Sequence, residues 1–365
     1  MTSPKLAVSV LLLAAFTASG AALGGTPPYP VKRVEVAFPS GGVSLAGTLY
    51  LPDAPGRHPA IILIHGSGRA TRGWPNALHA ADFSAYGIAT LTYDKRGVGA
   101  SGGSFDENED LEPLAADASA AARYLASRPE IDGARLGLWG RSQGAWVAPL
   151  AAAQLEHVAF VVLVVGGGVP VLEQQLFQSK AMLRRLGLDE ADLQAVLRAQ
   201  RALTAYYNSD EPAALQSEAQ EAIKAIRDRE WFERLPLRVV VDSRQVPPPA
   251  WVIAHREGPI RPLRQARFDP AGYLQRLKAP VLAVLAGSDD LTPTEETAAR
   301  LAGLVPPAQL TARVFPGADH MLCAARADGE LTQCPLLAGV EEFMRDWLVR
   351  QAAVPAADSG RSGGK

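Results

Sequence analysis

Six segments of strand length punctuate this chain: Ile61–Ile64, Ile88–Tyr93, Arg135–Trp139, Val158–Val165, Pro280–Gly287 and Leu310–Phe315. Most are continuous apolar runs closed by glycine or proline, the pattern of strands with both faces covered. Helical stretches stand between them near Pro75–Tyr86, near Leu114–Ser127 and directly after Ser142. In that last stretch Pro149 is tolerable only within the first turns. Strand–helix alternation of this kind predicts a largely parallel sheet with helices on both sides. Ahead of it, Val31–Leu51 alternates in polarity around Pro39-Ser40-Gly41-Gly42, which predicts an antiparallel hairpin opening the sheet.

The alternation breaks between about residues 169 and 268, where the sequence is helical and charged. Gly187 punctuates it, and Asp189 is placed to cap a helix with Leu193, Val196, Leu197 and Leu203 near one face, interrupted by Gln200. Trp231, Phe232 and Trp251 either line an acyl or aromatic pocket or pack the segment's own core. Val246-Pro247-Pro248-Pro249 reads as a stiff linker back to the sheet.

Candidate chemistry starts at Gly140-Arg141-Ser142-Gln143-Gly144, set behind the apolar Leu136–Trp139. Glycines two residues to either side of a serine allow a sharp strand-to-helix turn that lifts the hydroxyl above a sheet. A serine hydroxyl is a weak nucleophile at neutral pH and needs a histidine base oriented by an acid. In this architecture they follow in the order serine, acid, histidine. That order removes His58, His65 and His79. His157 reads as a helix end and His255 lies in an irregular Pro-rich stretch. His320, in the loop Pro316–His320 after the last strand, is the expected base.

The acid belongs after the preceding strand, where Asp289 and Asp290 compete. Asp289 stands four residues before Pro293 and is preferred, with Asp290 as the alternative. A tetrahedral oxyanion also needs two backbone donors. One is the amide of Gln143. The other belongs to the glycine-rich turn His65-Gly66-Ser67-Gly68, with Ser67 as the expected donor, Gly68 behind it, and His65 as a brace.

These motifs, together with Tyr93-Asp94-Lys95-Arg96-Gly97-Val98-Gly99-Ala100-Ser101, resemble those of the α/β-hydrolases, and specifically the bacterial carboxylesterase and acyl-hydrolase branch. The likeness covers roughly residues 45–165 and 270–350. It implies an α/β-hydrolase fold, a mostly parallel central sheet flanked by helices, with residues 169–268 as an inserted helical cap between core segments 30–168 and 269–350. It further implies that Asp94 and Arg96 tie loops together, and that the activity is hydrolysis of a small-molecule ester through an acyl-enzyme. A serine peptidase of the same fold, or a non-catalytic ligand-binding protein on the scaffold, are the alternatives. The expected chemistry calls for no cofactor and no metal.

At the N-terminus, Lys5, the apolar Leu6–Phe16 and small residues to Ala22 describe a secretory signal peptide over residues 1–22, an uncleaved anchor being the alternative. Export to the periplasm or beyond makes Cys323 and Cys334 an expected disulfide. A tail over residues 351–365, rich in Ala, Gly and Ser, is expected to be disordered. With 36 Lys and Arg against 38 Asp and Glu, the net charge is −2, which offers no electrostatic case for nucleic acid or an acidic membrane surface. Gly166-Gly167-Gly168 lacks the Lys-Ser/Thr that a phosphate loop requires.

Overall fold

Because side chains alternate across a strand, a run such as Ile61–Ile64 supplies two hydrophobic faces at once. The computed structural model describes residues 27–106, 110–235, 245–255, 265–324 and 335–353. Its strands are β1 (Val31–Ser40), β2 (Val43–Pro52), β3 (His58–Ile64), β4 (Ala89–Tyr93), β5 (Ile131–Arg141), β6 (Phe160–Val164), β7 (Val281–Ala286) and β8 (Leu310–Phe315). They form one sheet in the order β1-β2-β4-β3-β5-β6-β7-β8. The β1–β2 and β2–β4 pairs are antiparallel and every later pair is parallel. The opening hairpin turns through Gly41 and Gly42, both in the left-handed region at φ 55° and 81°, as a two-residue turn of this hand requires.

Four helices cover the sheet on the Ile62 side: α2 (Leu111–Ala126), α3 (Gln143–Ala152), α8 (Ala271–Leu274) and α9 (Thr294–Leu304). Ile62, Ile64, Leu138, Val161, Leu163 and Ala283 point into that layer. The opposite face carries Ile61, Leu63, Trp139, Phe160, Val162, Val164 and Val284, and is covered by α1 (Asn76–Ala85) and α10 (Val340–Ala353). Each of these strand side chains is withdrawn from water, worth roughly 1.5–3 kcal/mol apiece for the aliphatic and aromatic ones. The unbroken apolar runs are therefore what two covered faces demand.

Between β6 and β7 stand α4 (Val171–Arg185), α5 (Glu190–Asn208), α6 (Pro212–Arg227) and α7 (Pro249–Ala254). They bury a cluster of their own, with Leu183, Leu193, Val196, Leu203, Tyr206, Ile223, Ile226, Trp231 and Val252 at its centre. Asp189 caps α5 by accepting the Asp192 N–H at 2.8 Å. Trp231 and Phe232 belong to this cluster and so pack the segment itself, whereas Trp251 stands outside it, 39 % exposed and stacked on His255 at 4.2 Å.

Other expectations shift. Pro249 is the first residue of α7 rather than part of a linker, since a helix's first N–H has no intrahelical acceptor to lose. For the same reason α2 starts three residues before the expected Leu114 and takes Pro113 into its first turn, burying Leu111. Pro149 sits in the second turn of α3, yet the helix continues to Ala152 because all ten of its residues are buried. His157 lies in the loop beyond α3, its Nε2 bonded to the Ala134 carbonyl at 2.9 Å. Finally, α10 runs through Ala353 and takes in the first three residues of the expected tail. The rest of that tail, the expected signal peptide and Cys334 lie outside the described residues.

Candidate active site

The parallel strands deliver their C-terminal ends to one edge, where the loops after β3, β5, β7 and β8 meet. This is where ligands bind in open α/β sheets. Ser142 follows β5 directly, with φ 54° and ψ −118°, outside the regions where L-residues rest comfortably. The turn closes only because its flanks lack side chains. A Cβ at residue 140 would stand 1.9 Å from the Gly144 carbonyl oxygen, and one at residue 144 would stand 2.5 Å from that of Ile64.

Around this turn the structure brings Ser142, His320 and Asp289 together. His320 Nε2 lies 3.0 Å from Ser142 Oγ, and Nδ1 lies 2.8 Å from Asp289 Oδ2. The Asp289 side chain is wholly buried, and its other oxygen accepts the Leu291 and Thr292 amides at 2.8 and 2.9 Å. Those two bonds fix the carboxylate's direction. Asp290 points away and pairs with Arg185 of α4. Of the two aspartates, only Asp289 faces the imidazole.

Two cations, unremarked in the sequence beyond their place in a motif, support this arrangement. Arg141, immediately before the serine, donates to the His320 carbonyl at 3.3 Å and contacts Met321 Sδ. Burial lowers its guanidinium to about 10, while Asp319 and Asp289 pull the other way, so it is charged at neutral pH and pins the histidine loop to β5. Asp319 holds that loop from within, accepting the Met321 and Cys323 amides at 2.8 and 3.0 Å. The second cation is Lys95, whose ammonium reaches Gly66 and Gln143. A charge inside a motif string reads as surface; only the fold shows that both point inward.

Gly66 packs directly on the serine: a Cβ there would lie 3.3 Å from Ser142 Cβ and 3.9 Å from Oγ. Ser67 follows with its residue exposed. Gln143 opens α3, so its N–H has no intrahelical acceptor and faces the helix N-terminus, where the macrodipole favours negative charge. His65 is buried behind the loop with Nε2 bonded to the Tyr93 carbonyl. Burial, reinforced by the Lys95 charge, pushes this imidazole down to about 4, so it is neutral at pH 7 and acts as a brace. Asp94 accepts the Arg72 and Ala100 amides at 2.8 and 2.9 Å, and Arg96 grips Asp117 through two bonds of 2.6 and 2.8 Å. Both tie loops together. Cys323 is buried beside the His320 loop. Among the described residues no group of three or more His, Cys, Asp or Glu is placed to hold a metal ion, and no helix is long and apolar enough to cross a membrane.

Comparison with known proteins places this geometry in context. A family model described as the alpha/beta hydrolase family matches residues 61–331. The chain is 32 % identical over 143 residues to quorum-quenching protein AidA of Acinetobacter baumannii, covering 39 % of this chain and 46 % of the relative. It is 37 % identical over 135 residues to thiohydrolase apmlB of Arthrinium phaeospermum, covering 35 % and 41 %. These alignments thus span less than half of each relative. Among solved structures, the alpha/beta hydrolase GrgF from Penicillium sp. sh18 superposes with a TM-score of 0.55 at 22 % identity, over 88 % of this chain and 100 % of that one, a likeness of fold.

Proposed function

The chain belongs to the alpha/beta hydrolase family, and from that premise we propose that it is an exported serine hydrolase of the carboxylesterase branch. The observation that carries the proposal is the relay Ser142 Oγ, His320 Nε2, His320 Nδ1, Asp289 Oδ2, with gaps of 3.0 and 2.8 Å. A buried carboxylate on Nδ1 holds that proton in place and leaves Nε2 to accept the serine proton. Ser142 Oγ then attacks an acyl carbonyl, and the negative oxygen is received by the Gln143 and Ser67 amides. The protonated His320 gives its proton to the departing alcohol, and water, activated in turn by His320, releases the acid from the acyl-serine.

In this reading the helices between residues 169 and 268 cap the site and shape the acyl pocket. Residues 1–22 are a cleaved signal, and Cys323 pairs with Cys334 in the oxidising compartment beyond it. The similarity to a protein named as a thiohydrolase adds thioesters to the substrates worth assaying, since the acyl-serine is common to both.

Replacing the nucleophile is the direct test. Ser142→Ala is expected to lower hydrolysis of a short p-nitrophenyl ester by roughly 10³-fold or more, leaving only binding and oxyanion stabilisation. Labelling of the wild-type chain by a fluorophosphonate, lost in Ser142→Ala, is the companion measurement. Retention of most turnover in that variant would remove Ser142 from its role.

A further inference from the structure

Lys95 is 5 % exposed, and its ammonium donates to the Gly66 carbonyl at 2.8 Å and to Gln143 Oε1 at 2.9 Å. Removing an ammonium from water is costly unless hydrogen bonds compensate. Both of these bonds go to residues bordering the proposed oxyanion site, one on each side. We propose that Lys95 is a positioning residue that clamps the β3 loop to the start of α3 and thereby aims the two oxyanion donors. This rests on the esterase reading above.

The first arm works through peptide planarity. The Gly66 carbonyl and the Ser67 N–H belong to one rigid trans unit and point in opposite directions. Fixing the oxygen on Lys95 therefore fixes where the Ser67 N–H is aimed. Hydrogen bonding at the oxygen also polarises the unit and strengthens the N–H as a donor. Gly66 is the residue that packs on Ser142, so the aimed peptide unit is next to the nucleophile.

The second arm runs through the Gln143 side chain. An ammonium can only donate, so it selects the carboxamide oxygen and turns the NH₂ the other way. That nitrogen donates to Gln265 Oε1 at 3.1 Å. Gln143 is thus held at both ends of its amide, by the core through Lys95 and by the segment just before α8 through Gln265. Its backbone N–H, the other donor, sits at the first position of a helix whose side chain cannot swing. The neutral His65 ring completes the frame, its loop fastened to the Tyr93 carbonyl at the end of β4. Lys95 lies two residues beyond that same strand end.

The test compares wild type with Lys95→Met, Gln143→Met and the double variant. Three quantities are read: kcat and KM for p-nitrophenyl butyrate, the inhibition constant of phenylboronic acid, which becomes tetrahedral on a serine, and the thermal midpoint. Loss of a whole oxyanion donor costs about 10²–10³ in kcat. Misaiming should cost less, so Lys95→Met is expected to lower kcat roughly 10–100-fold with KM changed less than about threefold. Boronate affinity should fall by a matching factor, a response that general loosening of the fold would not produce. Gln143→Met should lower kcat about threefold to tenfold, and the double variant should be no more than about twofold worse than Lys95→Met, because the two residues act through one linkage.

A Lys95→Met enzyme within twofold of wild type in kcat overturns the clamp, and so does a fall in kcat without a fall in boronate affinity. If Lys95→Met does not fold, Gln143→Met decides: unchanged kcat there overturns the proposal. A wild-type chain that neither turns over the ester nor binds boronate sinks the esterase reading itself, and the clamp with it. An active wild type with an indifferent Lys95→Met sinks the clamp alone.

Discussion

The sheet and the helical segment between β6 and β7 are built on different principles. In the inner strands β3, β5, β6 and β7, alternate residues enter two separate hydrophobic layers, so the strand ends are fixed by register with neighbouring strands and by packing on both faces. In the helical segment a single cluster inside α4–α7 does the work. Among the described residues its polar ties to the rest of the chain include Arg185 to Asp290, Gln178 to the Leu291 carbonyl, Trp146 Nε1 to the Val169 carbonyl, Arg267 to Asp110, and the Gln143–Gln265 bond. Ser142, His320 and Asp289, which meet within hydrogen-bonding distance, all stand on strand-end loops of the sheet.

The strongest way to break this contrast is to place equivalent cavities in the two regions. Leu138 in β5 and Leu203 in α5 are both essentially unexposed, and Leu→Ala at either should cost about 2–5 kcal/mol. The expected difference is in where the cost appears. Hydrogen exchange should accelerate throughout β3–β7 in Leu138→Ala, but chiefly in α4–α6 in Leu203→Ala. Equal acceleration of β5 and β6 amides by Leu203→Ala would show that the two regions unfold as one unit.

A second, somewhat smaller effect is confined to the sheet side and depends on pH. His65 binds its proton less readily in the fold, at about 4, than in the unfolded chain, near 6.5. The unfolded state therefore takes up more protons between those values, and stability is lost as pH falls from about 6.5 towards 4. By pH 4.5 the loss approaches roughly 2–3 kcal/mol. Asp82 on α1 works in the opposite sense. Burial and then Glu341 raise its carboxyl to about 6, so its contribution declines as pH rises through that range. Comparing urea midpoints of wild type and His65→Asn at pH 7 and 4.5 isolates the histidine. An acid-induced drop of the same size in His65→Asn would assign the effect elsewhere.

The same division governs what could be read without coordinates. Strand runs, the glycine-flanked serine and the terminal histidine are legible because each is a local rule: two faces to cover, a turn to close, a loop after the last strand. Asp289 was separable from Asp290 only loosely, since adjacent carboxylates differ by which way one peptide turns; the Leu291 and Thr292 amides that settle its direction are bonds of the folded loop. Lys95 and Arg141 carried no local signal for their contacts, because a cation in a loop is ordinarily solvated. Their burial depends on partners 29 to 180 residues away in sequence. Trp251 shows the converse: a large aromatic is usually buried, yet this one lies outside the segment's cluster and stacks on His255 at the surface. Pro249, read as part of a linker, is the first residue of α7, where proline costs a helix little.

The smallest effect sharpens the comparison most, because it perturbs the helical segment without cutting a cavity. Asp189 satisfies the Asp192 N–H at the start of α5, and its loss in Asp189→Ala should cost about 1 kcal/mol. Asp192 is itself tied to Trp231 Nε1 at 2.6 Å, so fraying there would spread into the segment's cluster before reaching any strand. If the segment is an accessory to a site built on the sheet, Asp189→Ala should speed exchange in α5 while leaving kcat on a short ester within about twofold of wild type. Longer acyl chains, which would have to lean on the helices, should show the larger change in KM. A fall in kcat with the short ester would mean that the ties through Arg185 and Gln265 transmit more than they hold, and that the helices help set the geometry of the serine as well as the space above it.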